Sequence, residues 1–143
     1  MTVKTILSTK GSEVITIGPT ASLEDAIALL ARHRIGAVVV LGADERVIGI
    51  LSERDIVRAL SEQGANALKQ PLAQSMTRTV TTCSEADTIS EIMDRMTRGR
   101  FRHIPVMEQE RMVGIISIGD VVKQRLSEME RESEALRDYI QTA

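Results

Sequence analysis

Aromatic side chains are nearly missing from this sequence of 143 residues, which holds Phe101, Tyr139 and no Trp. A core built here must be aliphatic, made of Ile, Val, Leu, Met and Ala. There is also no series of rings on which the bases of single-stranded nucleic acid would stack. Cysteine occurs once, at Cys83, which excludes an internal disulfide and fits a reducing compartment. The two histidines, His33 and His103, have no local pairing with that cysteine, and no His/Cys spacing resembles a zinc site. A dominant charge is lacking as well. The formal net charge is −2, so no strong field draws in DNA, RNA or an anionic membrane. No apolar run approaches the ~20 residues that cross a bilayer. The opening residues lack the apolar stretch and small-residue cleavage site of a signal peptide, which makes the cytoplasm the expected location. Neither type of Gly-rich phosphate loop, Walker or dinucleotide, occurs. With no metal site and no evident base, the chain is expected not to be an enzyme.

What is present is a globular balance, with 43 % hydrophobic and 27 % charged residues. The length suffices for one compact domain or two packed half-domains. An internal repeat organises the chain. Residues 14–60 align with residues 80–126: Leu23 with Ile89, Val40 with Val106, Gly49 with Gly114, Asp55 with Asp120. The second copy is one residue shorter between its middle blocks. Each copy predicts a weak strand, a helix opening at Ser22 or Thr88, a β-branched strand (AVVVL or HIPVM), a polar turn, a strand with a central Gly, and a second helix. The fold class expected is therefore α/β (α+β), as two pseudo-symmetric β-α-β-β-α units. Residues 1–13 form an N-terminal segment. Residues 61–79 form a connection, in which Gly64 and Pro71 break any helix. Residues 127–143 form a C-terminal helical extension.

The end of the chain, from the second repeat into that extension, carries a heptad seam: Val122, Leu126, Met129, Ser133, Leu136 and Ile140 alternate at spacings of four and three. Its charged flanks allow two readings. The helix folds back on its own domain, or it pairs with a second subunit.

The Ser-x-x-Asp motif recurs at Ser52–Asp55 and Ser117–Asp120. One reading is purely structural, since Ser followed by an acid three residues on is a helix capping box. Ser22–Asp25 and Thr88–Glu91 show the same spacing and serve as an internal control. The other reading rests on context. Both motifs follow a Gly-containing strand directly, so a helix N-terminus lies at a strand's C-terminal edge. Free amides and the positive end of the helix dipole attract phosphate there. A carboxylate in that first turn can accept hydrogen bonds from a ribose diol. A basic group at Arg98, Arg100, Arg102 and His103 precedes the strand of the second copy, and Arg54 lies inside the first motif. These cations suit phosphate, or else form a solvated face. Cys83 and the seven Met residues read as ordinary packing residues.

These blocks together resemble a tandem pair of cystathionine β-synthase (CBS) domains, the Bateman module. The resemblance rests on Pro19–Leu23, Ile35–Val40, Val47–Asp55, Phe101–Val106 and Val113–Asp120, and departs from the repeat where Glu85 replaces the Pro of the first copy. It implies two repeats packed sheet to sheet, with two clefts near their pseudo-two-fold axis. Such clefts take AMP, ADP or ATP, or relatives such as NAD(H) and S-adenosylmethionine. Asp55 and Asp120 would hold ribose hydroxyls, and Ser52 and Ser117 would face ribose or phosphate. Arg102 and His103 would meet phosphates, with Arg54 from the opposite half. Adenine would lie against Thr16–Gly18 or Thr82–Ser84, near Gly36 and Ala37 or Ile104 and Pro105. The resemblance also implies a homodimer that regulates a separate protein partner. The competing expectation is an assembly module whose helix caps are only caps.

Overall fold

The repeat in the sequence becomes a repeat in space. The computed structural model describes residues 1–142. Along the chain run α1 (Val3–Lys10), β1 (Thr16–Ile17), α2 (Leu23–His33), β2 (Ala37–Leu41), β3 (Val47–Ser52), α3 (Glu53–Gln63), α4 (Ile89–Gly99), β4 (His103–Glu108), β5 (Arg111–Ser117) and α5 (Ile118–Thr142). They form two compact units. The first comprises Glu13–Thr81; the second joins Met1–Ser12 to the residues from Thr82 onward.

Helix starts follow local chemistry. The Ser22 hydroxyl accepts from the Asp25 amide at 3.1 Å, and the Asp25 carboxylate accepts from the Ser22 amide at 3.3 Å. Thr88 and Glu91 repeat the exchange at the start of α4. Each box satisfies amides that a helix start leaves orphaned, stabilising it by ~1 kcal/mol. The apolar face of α2 then buries Leu23, Ala26 and Leu30, and that of α4 buries Ile89, Ile92 and Met96. Both helices end on an arginine in the left-handed region, Arg34 (φ 54°) and Arg100 (φ 56°).

In the first unit β2 lies between β1, parallel to it, and β3, antiparallel to it. Its first four residues are all buried, as a β-branched run sandwiched on both faces demands. In the second unit β4 and β5 pair antiparallel. The expected leading strand there shrinks to a single parallel bridge between Cys83 and Val106. Each unit has its own aliphatic core, one around Val38, Val40 and Leu51, the other around Ile104, Val106 and Ile116.

The stretches read as an N-terminal segment and a connection turn out to be equivalents of one another. Thr2 bridges Thr88, the N-cap of α4, and Pro71 bridges Ser22, the N-cap of α2. Val3 and Leu72 are both fully buried. Leu7 lies against Gly114 of β5, where an added Cβ would stand 2.6 Å from its Cδ2. Met76 lies against Gly49 of β3 in the same way, at 2.6 Å from its Sδ. Each repeat thus has a lead-in segment that packs on the other repeat's unit. The glycines are what let it approach. The apolar pairs Val3/Leu7 and Leu72/Met76, four apart in each copy, were the available signal.

The chain closes on α5, one continuous helix of 25 residues. Only its first part packs on the second unit, through Val121, Gln124 and Glu128, and residues 129–142 are all exposed.

Candidate functional site

The strand register gathers one set of expected residues at one sheet end in each unit. In the first, Ala37 pairs with Ser52, and the Glu53 amide donates to the Gly36 carbonyl at 3.0 Å. In the second, His103 pairs with Ser117, and the Ile118 amide donates to the Arg102 carbonyl at 2.8 Å. Gly36, Ala37, Ser52, Arg54 and Asp55 therefore cluster, as do Arg102, His103, Ser117 and Asp120. Ile104 and Pro105 follow directly along β4 with buried side chains, so any ligand meets the backbone there.

The leading strands extend away from these ends. Thr16 pairs with Val39 and Ile17 with Val40, which carries Gly18 to the far end of the sheet from Ser52. Thr82 precedes Cys83, which lies level with Val106. Ser84 lies beyond it, where its hydroxyl donates to Glu108 at 2.8 Å and its amide to Asp87 at 2.8 Å. Asp87 also holds Arg95 at 2.8 Å. The Ser84 amide and then Arg95 keep the Asp87 carboxyl below its ordinary range, and the Glu85 amide and Ser84 hydroxyl do the same for Glu108. Ser84 is thus tied into a polar network at that far end. Burial, reinforced by the Asp87 charge, pushes the Cys83 thiol up to about 12, so it is protonated and unreactive at neutral pH.

Both Ser-x-x-Asp motifs are capping boxes. The Asp55 carboxylate accepts from the Ser52 amide at 2.9 Å, and the Asp120 carboxylate accepts from the Ser117 amide at 2.9 Å. Their surroundings then diverge. Asp55 is 3 % exposed and accepts further hydrogen bonds from the hydroxyls of Ser52 at 3.0 Å and Thr77 at 3.0 Å. Its oxygens are spent on the fold. The Asp120 side chain is 23 % exposed and meets the Lys10 ammonium at 2.6 Å. Lys10 also donates to the Ile115 carbonyl at 2.7 Å. Burial raises the Asp120 carboxyl, but the Lys10 hydrogen bond and the Ser117 amide outweigh it and hold it below its usual value.

Arg98 is a solvated cation, 81 % exposed and paired with Asp94 one turn back at 3.1 Å. Lys10 and Thr77 went unnoticed in the sequence. Neither lies in a motif, and each reaches its aspartate only through a lead-in segment. A groove of about 640 Å³ runs between α2 and α3, past Ile27, Leu30, Ile56, Val57 and Leu60, and reaches Gly36 and Glu53 at the sheet end. Its lining is mainly apolar, with Arg34 and Glu53 as the charged members. Among the described residues no His/Cys/Asp/Glu group could hold a metal ion, and no helix is long and apolar enough to cross a membrane.

A family model for the CBS domain matches residues 3–62 and residues 72–127, each match opening on a lead-in segment. The mitochondrial CBS domain-containing protein CBSX3 of Arabidopsis thaliana is 35 % identical over 121 residues, covering 82 % of this chain. The chain spans only 59 % of the length of that relative. A crystal structure of a CBS-domain containing protein from Agrobacterium tumefaciens is 50 % identical, with a TM-score of 0.85 over 87 % of this chain and 92 % of the other. A CBS domain protein from Pyrobaculum aerophilum complexed with AMP is 25 % identical, with a TM-score of 0.75 over 84 % of this chain and 89 % of the other. The CBS domain pair of protein MJ0100, in complex with 5′-methylthioadenosine and S-adenosyl-L-methionine, is 26 % identical, with a TM-score of 0.77 over 87 % of this chain and 98 % of the other.

Proposed function

The chain belongs to the CBS domain family, and from that premise we propose that it is a regulatory module that binds an adenosine compound through the sheet end carrying Ser117 and Asp120. The observation that carries this reading is the difference between the two aspartates. Asp120 keeps part of its carboxylate at the surface, with Lys10 bonded to it and Arg102 and His103 on the neighbouring strand end, where His103 pairs with Ser117. A ribose diol can donate to that carboxylate while the cations meet phosphate. Asp55, already saturated, contributes less, and the two sites are unequal.

The relatives with AMP and with S-adenosylmethionine support an adenosine ligand. AMP, ADP and ATP fit the cations best, and NAD(H) or S-adenosylmethionine share the same adenosine half. Adenine then lies by Thr82 and the backbone of Ile104 and Pro105, and in the first repeat by Thr16, Gly36 and Ala37. Binding biases a conformational or oligomeric equilibrium that a separate protein reads. The module is not an enzyme and works in the cytoplasm.

The test is titration calorimetry on protein stripped of ligand by unfolding and refolding, against AMP, ADP, ATP, NAD, NADH and S-adenosylmethionine. Binding of one compound that weakens about tenfold or more in Asp120→Ala, a loss of ~1.4 kcal/mol, supports the reading. Equal affinity in a folded Asp120→Ala variant sinks it. A second reading, an assembly module without a nucleotide, draws on the exposed apolar residues of α3 and α5, and is the reading left if the whole panel fails to bind.

A further inference from the structure

The heptad seam of α5 lies open along its whole length. Exposure of Val122, Leu126, Met129, Leu136 and Ile140 runs from 46 % at Val122 to 66 % at Ile140. The helix does pack on its own unit, but with a different face. Val121, Gln124 and Glu128 make that contact, and with a heptad phased on the seam they hold the c, f and c positions. The seam residues hold d and a on the opposite side. Packing within the chain therefore leaves the seam uncovered. An isolated helical stretch as short as residues 129–142 is marginal in water. Its stability calls for a partner surface.

The flanking charges say which partner. Arg125 and Glu132 stand at g positions, and Lys123, Glu130 and Arg137 at e. In a parallel, in-register pair, each g residue meets the partner's e residue five places on. That sets Arg125 against a second Glu130 and Glu132 against a second Arg137, both attractive. In the antiparallel register that overlaps the seams fully, g meets g and e meets e. Glu132 then opposes Glu132, Glu130 opposes Glu130, and Lys123 opposes Arg137, all repulsive. We propose that α5 forms a parallel, in-register two-stranded coiled coil with a second copy of this chain. Ser133, at a central a position, costs stability but is small enough to be accommodated between the helices. The inference is independent of the nucleotide reading and stands whether or not a ligand binds.

The test uses the full chain. Light scattering after size exclusion is expected to give twice the chain mass, falling to the monomer mass in Leu126→Asp/Leu136→Asp with its far-ultraviolet dichroism largely kept. A wild-type monomer, or a dimer that persists in the double variant, overturns the proposal. Orientation is read from Leu126→Cys and Leu136→Cys made separately, since the natural Cys83 is buried. Mild oxidation should cross-link each variant to itself. Cross-links only in a mixture of the two would establish the antiparallel arrangement and overturn the proposal. Arg125→Glu should weaken the dimer several-fold, and adding Glu130→Arg should restore it. No change with either would overturn the charge assignment.

Discussion

The ammonium of Lys10 sits 2.6 Å from a carboxylate oxygen of Asp120, 110 residues away in sequence. The contact joins the lead-in helix α1 to the residue we propose as the ribose acceptor. It also makes stability depend on pH. Asp120 is held below the ordinary carboxylate value of 3.8, so its contribution is present above that value and lost as pH falls through the lower, folded value. Lys10→Met should cost ~1 kcal/mol near neutral pH, the scale of a partly exposed pair. Its penalty should shrink as pH falls below that ordinary carboxylate value and Asp120 protonates. Urea denaturation of both proteins across that range measures this. A penalty independent of pH would mean that Lys10 stabilises only through its hydrocarbon stem.

The four capping boxes provide an internal comparison. Ser22→Ala and Ser117→Ala remove the same kind of cap, and each should lower stability by ~1 kcal/mol. Only Ser117→Ala should also weaken binding of the adenosine ligand. Thermal melts paired with calorimetry separate the two effects. A Ser22→Ala variant that loses ligand affinity equally would show that binding follows stability alone.

Thr77 should matter because Asp55 is buried. Thr77→Val takes away the hydroxyl that Oδ1 of Asp55 accepts from at 3.0 Å. Leaving a buried acceptor short of a donor costs ~1–3 kcal/mol. The expected result is a lower denaturant midpoint with an unchanged slope.

The two central strand glycines should differ. At Gly49 a Cβ would meet the flexible Met76 side chain but also the Thr77 backbone oxygen at 3.0 Å, which takes part in a backbone hydrogen bond with Ile50. At Gly114 the three nearest atoms all belong to the Leu7 side chain, with no backbone atom among them. Gly49→Ala should cost ~1–3 kcal/mol, the usual scale of overpacking. Gly114→Ala should cost less. Chemical denaturation of the pair settles the order.

Cys83 reports on opening of its unit. With its thiol raised to about 12 and its side chain buried, alkylation near neutral pH should be negligible in the folded protein. Labelling should rise with urea along the unfolding curve. Rapid labelling without denaturant would show that this core opens locally.

The repeat, the helix starts and the buried strands were legible in the sequence because they depend on neighbours. A capping box spans four residues, a helix face repeats every three or four, and a strand run such as Ala37–Val40 reveals itself by composition. The CBS resemblance followed from these local blocks in order. Identical motifs could not reveal their different fates. Ser52–Asp55 and Ser117–Asp120 look equivalent, yet one carboxylate is consumed by Thr77 while the other keeps a surface and meets Lys10. That choice rests on where the lead-in segments travel after leaving their own repeats. Such contacts join residues far apart along the chain, and only a folded backbone brings them within reach of a hydrogen bond.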